Sequence, residues 1–239
     1  MKVTIHQPEH LIWLGLVDKI SKADTFVILD NVQFRKNYFQ NRNRIKTAND
    51  WAWLTVPVSR FHLGTKISDI KIYYAKEWTQ QYLAFIEDSY TASKYFNAYY
   101  PKIKEIIVRK YQFLADLNIE LIKEILNWFD VKTKIIKASD LKLQHAEKGS
   151  RNILEICKVL SADAYLSGIE GKNYLDFSEF KAARINVTIH QFYHPIYKQL
   201  KSDFIPGMSS VDLLFNYGPG ARDILWGKNI ARLDCPIND

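Results

Sequence analysis

The stretch KVTIHQPEHLIWLGLVDKISKADTFVILD, residues 2–30, decides the fold class. Its opening, KVTIHQ, is short and β-branched, the composition of a strand. IWLGLVDKISKA follows with Leu14, Val17 and Ile20 on one helical face, and TFVILD returns to a strand-like run. A β-loop-α-β unit this compact implies two parallel strands joined by a crossover helix. In open sheets of that kind ligands collect beyond the carboxyl ends of the strands. The loop that begins at His6 and the segment from Asp30 onward are therefore where chemistry is sought.

Outward from this unit, WAWLTVPV (residues 51–58) reads as a strand with Pro57 near its end, and KISDIKIYY as a further extended piece. From about Lys76 to Phe129 the period changes. EWTQQYLAFIEDSY, YYPKIKEIIVRKYQF and LADLNIELIKEILNWF predict three helices, with Pro101 suited to the first turn of the second. An α/β rhythm then resumes: a strand near 132–136, a helix near 149–160, the strand ADAYLSG, a helix near 177–183 and the strand INVTIHQF. Ser209 or Ser210 is placed to cap a short helix that stops near Gly218. The expected architecture is α/β: a Rossmann-like, mostly parallel sheet flanked by helices, residues 1–239 forming one domain with 76–130 as a helical insertion. VTIHQ occurs twice, at residues 3–7 and 187–191, but the flanking residues differ. The echo reads as two core strands that each end in histidine, not as a duplication.

Composition narrows the partners. The chain carries 33 basic and 26 acidic residues, a net charge of +7, which favours an anionic ligand such as a nucleotide, a sugar nucleotide or RNA phosphate. Many lysines, as in YYPKIKEIIVRKYQ, fit solvated helix faces. No run approaches the roughly 18 apolar residues of a membrane span, and Met1 leads directly into a strand, so a cytoplasmic protein without membrane insertion is expected. Cys157 and Cys235 lie far apart, and His62, His145, His190 and His194 lack a carboxylate at metal spacing; no disulfide framework and no metal site are assigned. GxSxG, Walker A, GxGxxG and HExxH motifs are absent.

The densest polar cluster is DNVQFRKNYFQNRNRIK, residues 30–46. Arg42 and Arg44 offer planar forks for phosphate or carboxylate, Lys36 a point charge, and Gln33, Asn41 and Asn43 both donors and acceptors. The plainer alternative is an exposed basic loop. His6, followed by Gln7 and Pro8 and then by Trp13 and Gly15 at the helix entry, is placed to bind an anion beside a helix N-terminus; the alternative is a strand-end histidine satisfied by backbone. In SGIEGKNYL two glycines follow a strand, so Ser167, Gly168, Lys172, Asn173 and Tyr174 are candidates for the opposing wall, joined by Ser209, Ser210 and Asp212.

These pieces together resemble the WbqC-like protein family. The resemblance rests on IHQPEHLIWLGLVDKISKADTFVILDNVQFRKNYFQNRNRIK, WLTVPV, YLSGIEGKNYLDFSEF and HPIYKQLKSDFIPGMSSVDLLFNYGP, in family order. The family start, HQPxYLPWLG, is altered here: His10 stands where an aromatic is expected and Ile12 where proline is expected. Members are associated with O-antigen and other surface-polysaccharide (lipopolysaccharide) gene clusters, and one role proposed for them is glycine transfer onto an amino sugar. The layout of the first thirty residues is also similar to the HIGH-motif nucleotidylyltransferases, although no HxGH is present.

These resemblances imply an ATP-dependent, adenylate-forming transferase or ligase. It would place glycine or another small acyl group on the amine of a nucleotide-linked amino sugar, with Mg²⁺ as the ATP counterion. His6, Lys36, Arg42 and Arg44 would then contact phosphates at the reacting centre, and Gln7, Trp13, Gly15, Ser167 and Gly168 would hold the nucleotide. Gln33, Asn41, Asn43, Lys172, Asn173, Tyr174, Ser209, Ser210 and Asp212 would orient the substrate. The alternatives are transfer from a pre-activated donor, acyl-CoA or aminoacyl-tRNA, or a non-catalytic module that binds nucleotide sugars or RNA.

Overall fold

The structure is a computed structural model that describes residues 1–74, 77–143, 149–201 and 203–234; Lys76, His145 and Cys235 lie outside them. In chain order the elements are β1 (Lys2–His6), α1 (Leu14–Ser21), β2 (Thr25–Ile28), β3 (Arg42–Lys46), β4 (Trp51–Thr55), α2 (Trp78–Tyr90), α3 (Phe96–Val108) and α4 (Leu114–Trp128). There follow β5 (Lys134–Lys137), α5 (Ser150–Val159), β6 (Ala164–Ser167), α6 (Gly171–Tyr174), α7 (Phe177–Ala182), β7 (Asn186–Ile189), β8 (Tyr193–Pro195), α8 (Val211–Tyr217), α9 (Ala221–Trp226) and β9 (Arg232–Asp234).

The central sheet has five strands in the order β5-β2-β1-β6-β7, and every pairing is parallel. The fold is α/β and Rossmann-like. Strand order runs outward from β1 through β2 to β5, then returns to place β6 on the other side of β1. The switch point of the topology is thus the gap between the carboxyl ends of β1 and β6, where open α/β sheets form a crevice.

Both faces of the sheet are covered, which is why its strands are apolar at successive positions. In β2, Phe26 and Ile28 join a large core with α1, α2, α3, α4, α8 and α9, while Val27 points the other way with Val3 and Ile5 into a smaller core under α5 and α7. The three helices expected from the middle of the chain form and their apolar faces enter the larger core, but α3 begins at Phe96, so Pro101 lies inside it and not in its first turn. On α4, Asn118 interrupts an otherwise apolar inner face and is fully buried; its partners prove to be the loop after β1.

Three local expectations are corrected. NRNRIK is not a loop but β3, paired antiparallel with β4. Its alternation was masked because one of its inward residues, Asn43, is polar. KISDIKIYY forms a short 3-10 turn at Ile67–Asp69, then single bridges from Lys71 to Phe113 and from Ile72 to Val58 instead of a continuous strand. Ser210 does precede α8, which ends just before Gly218, but its hydroxyl donates to the carbonyl of Ile12; of the two candidate caps it is Ser209 whose hydroxyl accepts from the Val211 N–H, at 3.5 Å.

Candidate functional site at the sheet switch point

The loop from Gln7 to Trp13 joins β1 to α1 and is held from several sides. Asn118 Nδ2 donates to the carbonyls of Pro8 and Gln40, and the His10 backbone N–H donates to Phe39 O. Asn43 Nδ2 donates to the carbonyls of His10 and Leu11, while Ser209 and Ser210 donate from their hydroxyls to Leu11 O and Ile12 O. This clamp holds Leu11 at φ 41°, a left-handed conformation a leucine adopts only when its surroundings impose it.

His10 sits inside the clamp and is fully buried. Its Nδ1 pairs with Asn118 Oδ1 at 2.9 Å and its Nε2 with Tyr82 Oη at 2.5 Å. Asn118 Nδ2 already donates, so Oδ1 accepts from Nδ1–H and the Tyr82 hydroxyl donates to Nε2. Burial pushes the His10 pKa down to about 4, against a smaller opposing effect from Asn118. The ring also meets Tyr82 edge-on at 5.7 Å. A neutral histidine therefore fills this slot.

At the switch point itself three groups form a chain. The Lys19 ammonium, on α1, lies 3.2 Å from His6 Nδ1 and 3.3 Å from the Ile5 carbonyl. On the other side of the imidazole, His6 Nε2 lies 2.7 Å from Glu9 Oε1. A methyl group at Gly168, just past β6, would come within 3.8 Å of Lys19 Nζ. The amine therefore spans the two diverging strand ends, β1 and β6. Lys19 and Glu9 are both buried, whereas 34% of the His6 side chain remains accessible.

The geometry fixes the protons. A Lys19 ammonium donates to Nδ1, so the His6 proton resides on Nε2 and points at Glu9. Burial lowers the His6 pKa, the neighbouring Lys19 charge lowers it further, and Glu9 opposes both. Burial likewise brings Lys19 down to about 8 in spite of Glu9. Both His6 nitrogens are thus occupied. What remains for a ligand is the third Lys19 N–H and Glu9 Oε2, which is buried and has no hydrogen-bond partner among the described residues. An ammonium that can stabilise an anion and a carboxylate oxygen that can accept a proton flank one imidazole.

The neighbouring residue of α1 serves the other histidine. Asp18 Oδ2 accepts from His190 Nε2 at 2.7 Å and from Lys22 at 2.6 Å, and Oδ1 accepts from Trp226 Nε1 at 3.0 Å. Burial would raise the Asp18 pKa, but the bonds from His190 and Lys22 outweigh it and hold the carboxylate below its usual range.

Of the residues singled out from sequence, His6, Ser167 and Gly168 lie at the switch point. Lys172, Asn173 and Tyr174 form the exposed α6 beyond it, with Asn173 bonded to Glu170. Gln7 accepts from Gln40 Nε2. Trp13 folds its indole over Gly15, where any β-carbon would collide with the ring, and packs edge-on against Phe192 at 5.2 Å. Gly15 thus makes room for a side chain of the same loop. Asn43, Ser209 and Ser210 belong to the clamp. Asn41 donates to Val56 O and accepts from the Asn37 N–H, and Asp30 accepts from Ser139. Asp212 is fully buried and accepts from Tyr90, Tyr197 and Gln199. Their polar atoms hold protein groups, so they shape the loop and core behind the site. Gln33 and Lys36 are exposed on the segment before β3, and Arg42 and Arg44 stand on the hairpin.

Glu9 and Lys19 were missed in the sequence. Each is a charged residue beside an apolar run, the pattern of a solvated position; only the position of Glu9, three residues after a strand-end histidine, gave a hint. Among the described residues no group of three or more His, Cys, Asp or Glu side chains is placed to hold a metal ion, and no helix is long and apolar enough to cross a membrane.

No solved structure matches the chain. An uncharacterized protein of Mycobacterium tuberculosis, Rv1507c, is 32% identical over 229 residues, covering 94% of this chain and 97% of that one. The model of the WbqC-like protein family matches residues 7–224, a span that includes Glu9, Lys19, the β3–β4 hairpin and the loop after β6. The chain belongs to the WbqC-like protein family.

Proposed function

We propose that the switch point is the active site of an ATP-dependent acyl transferase that places glycine, or another small acyl group, on the amine of a nucleotide-linked amino sugar in surface-polysaccharide biosynthesis. The observation that carries this reading is the Glu9–His6–Lys19 chain at the carboxyl ends of β1 and β6. ATP supplies the activation that a free carboxylate lacks: a carboxylate oxygen attacks the α-phosphorus, pyrophosphate leaves, and the amine then displaces AMP from the acyl group. Mg²⁺ accompanies the ATP phosphates as their counterion.

The chain's own residues have distinct tasks in this scheme. Lys19 faces the anionic oxygens with its remaining N–H, in surroundings where a charge is felt strongly. Glu9 Oε2 accepts the proton that the attacking amine must lose. His6 holds both: its Nε2–H fixes Glu9 and its Nδ1 fixes Lys19, so it orients the pair instead of contacting phosphate.

The test is incubation of the full chain with ATP, glycine and a panel of nucleotide-linked amino sugars, followed by measurement of AMP, pyrophosphate and acylated sugar. AMP release that depends on both acceptor and acyl donor is expected, and its loss in Glu9→Gln would place the chemistry at the switch point. Acylation from acyl-CoA or aminoacyl-tRNA without AMP would replace the ATP step. Nucleotide-sugar binding without turnover from any donor would replace the enzyme by a binding module.

A further inference from the structure

A second charged surface lies on the β3–β4 hairpin and the segment before it. Tyr38, Phe39, Trp53 and Trp51 form a ladder of rings, edge to face, with centroids 5.5, 5.6 and 5.3 Å apart in succession. Three arginines lie along it: Arg35 over Tyr38 at 4.4 Å, Arg42 over Trp53 at 3.9 Å, and Arg44 at 4.6 Å from Trp51 and 5.1 Å from Trp53. Arg42 and Arg44 are two residues apart on one strand, so they share a face with a backbone separation of roughly 7 Å.

The cluster is electrostatically incomplete at Arg42. It has no carboxylate partner among the described residues, and its Nε is buried without a hydrogen-bond acceptor. Partial burial, with Arg44 as a like charge, depresses the Arg42 pKa. Ring stacking orients the guanidinium but leaves its in-plane N–H groups seeking acceptors. The stacked cations also cover ring faces that a nucleobase would need, which favours recognition of a phosphate group over base stacking.

We infer that this hairpin face binds the diphosphate group of a nucleotide-type ligand, with Arg42 supplying the fork and Arg44 a second positive charge beside it. A planar bidentate donor next to a like charge suits a multiply charged anion, and a bound diphosphate relieves the repulsion between the guanidiniums. The hairpin adjoins the switch-point loop: the Ser209 N–H donates to Arg44 O, and Ser209 is bridged to Trp13 in turn. The inference goes beyond the reaction proposed above and stands without it, since diphosphate binding here requires no turnover.

Calorimetric titration of the full chain with inorganic pyrophosphate, uridine diphosphate and a short single-stranded RNA tests it. Both diphosphates are expected to bind, and Arg42→Ala to weaken them about tenfold to a hundredfold. Arg42→Lys, which keeps the charge and the apolar stem, should recover only part of the loss, because it lacks the fork and the stack. Thermal melting of each variant separates a binding defect from an unfolded hairpin. The inference is overturned if neither diphosphate binds, or if folded Arg42→Ala binds them as the native chain does. RNA binding that depends on Arg42, without diphosphate binding, would overturn it in favour of a polynucleotide surface.

Discussion

The pentapeptide VTIHQ ends two parallel strands of one sheet, and its histidines reach consecutive residues of one helix. His6 meets Lys19; His190 meets Asp18. Neighbours on a helix diverge by about 100°, so the two contacts lie on different sides of α1. At His190 the network is closed: both Asp18 oxygens have donors, and the imidazole lies nearly parallel to Phe192, with centroids 6.3 Å apart. At His6 it is open, since Glu9 Oε2 is buried without a hydrogen-bond partner among the described residues. The same sequence thus carries two roles, and the difference lies in satisfaction. Buried polar groups that are fully paired lock a fold, while an unpaired one marks a place where a ligand completes the network.

The largest effect expected from this contrast concerns activity. If the open network is catalytic, Lys19→Met and Glu9→Gln should each lower turnover by about 10²- to 10⁴-fold, measured as AMP release in the assay above. Burial has set Lys19 near 8, so a rate that depends on its ammonium declines as pH rises through about 8. Lys19→Arg should move that alkaline limb upward. A limb that stays in place in Lys19→Arg would assign the titration to another group and break the contrast.

Two further histidines extend the comparison to stability. His10 and His194 are buried and are pushed by burial to about 4. In the unfolded chain histidine titrates near 6.5. Between these values the unfolded state binds more protons, so the stability that neutral histidines contribute is complete above about 6.5 and is lost as pH falls toward 4. Each should cost about 2 kcal/mol between pH of about 7 and about 5, read from urea unfolding. His10→Phe should remove much of that acid sensitivity, because an aromatic ring fits the slot; an unchanged pH slope in this variant would count against burial of His10 as the cause.

How much of this was legible in the sequence depended on which residues faced inward. The β-loop-α-β start was readable because β2 is apolar on both faces at Phe26, Val27 and Ile28, Val3 and Ile5 mark one face of β1, and Leu14, Val17 and Ile20 mark the inner face of α1. The hairpin was not, since Asn43 is as buried as Ile45 while being polar. The clamp was unreadable for a related reason: Asn118, Ser209 and Ser210 act on backbone carbonyls of Pro8, Leu11 and Ile12, which have no side-chain signature. Lys19 escaped notice because a short helix buried on all sides gives its charged residues no solvent-facing pattern. His6 and Gly168 were found from strand ends alone, and the topology then brought them to the same gap.

A closed network should lose stability and little activity when it is opened. His190→Asn is expected to cost about 1.5 to 3 kcal/mol of unfolding free energy, the worth of one hydrogen bond to a charged group, with turnover reduced less than threefold or so. A collapse of turnover in a variant that still melts cooperatively would move His190 into the catalytic group and erase the distinction between the two strand ends.

The smallest effect is the most discriminating. Lys22 also bonds Asp18, but its side chain is 49% exposed, so water replaces much of what it provides. Exposed ion pairs of this kind contribute only about 0 to 1 kcal/mol. Asp18 retains His190 and Trp226 when Lys22 is truncated, so its buried oxygens still have donors. Lys22→Ala should therefore lower stability by about 0.5 kcal/mol and leave the rate untouched. A much larger loss would mean that His190 and Trp226 do not suffice to neutralise Asp18. The second strand end would then be a network held closed by a surface lysine, and the contrast with His6 would be one of degree.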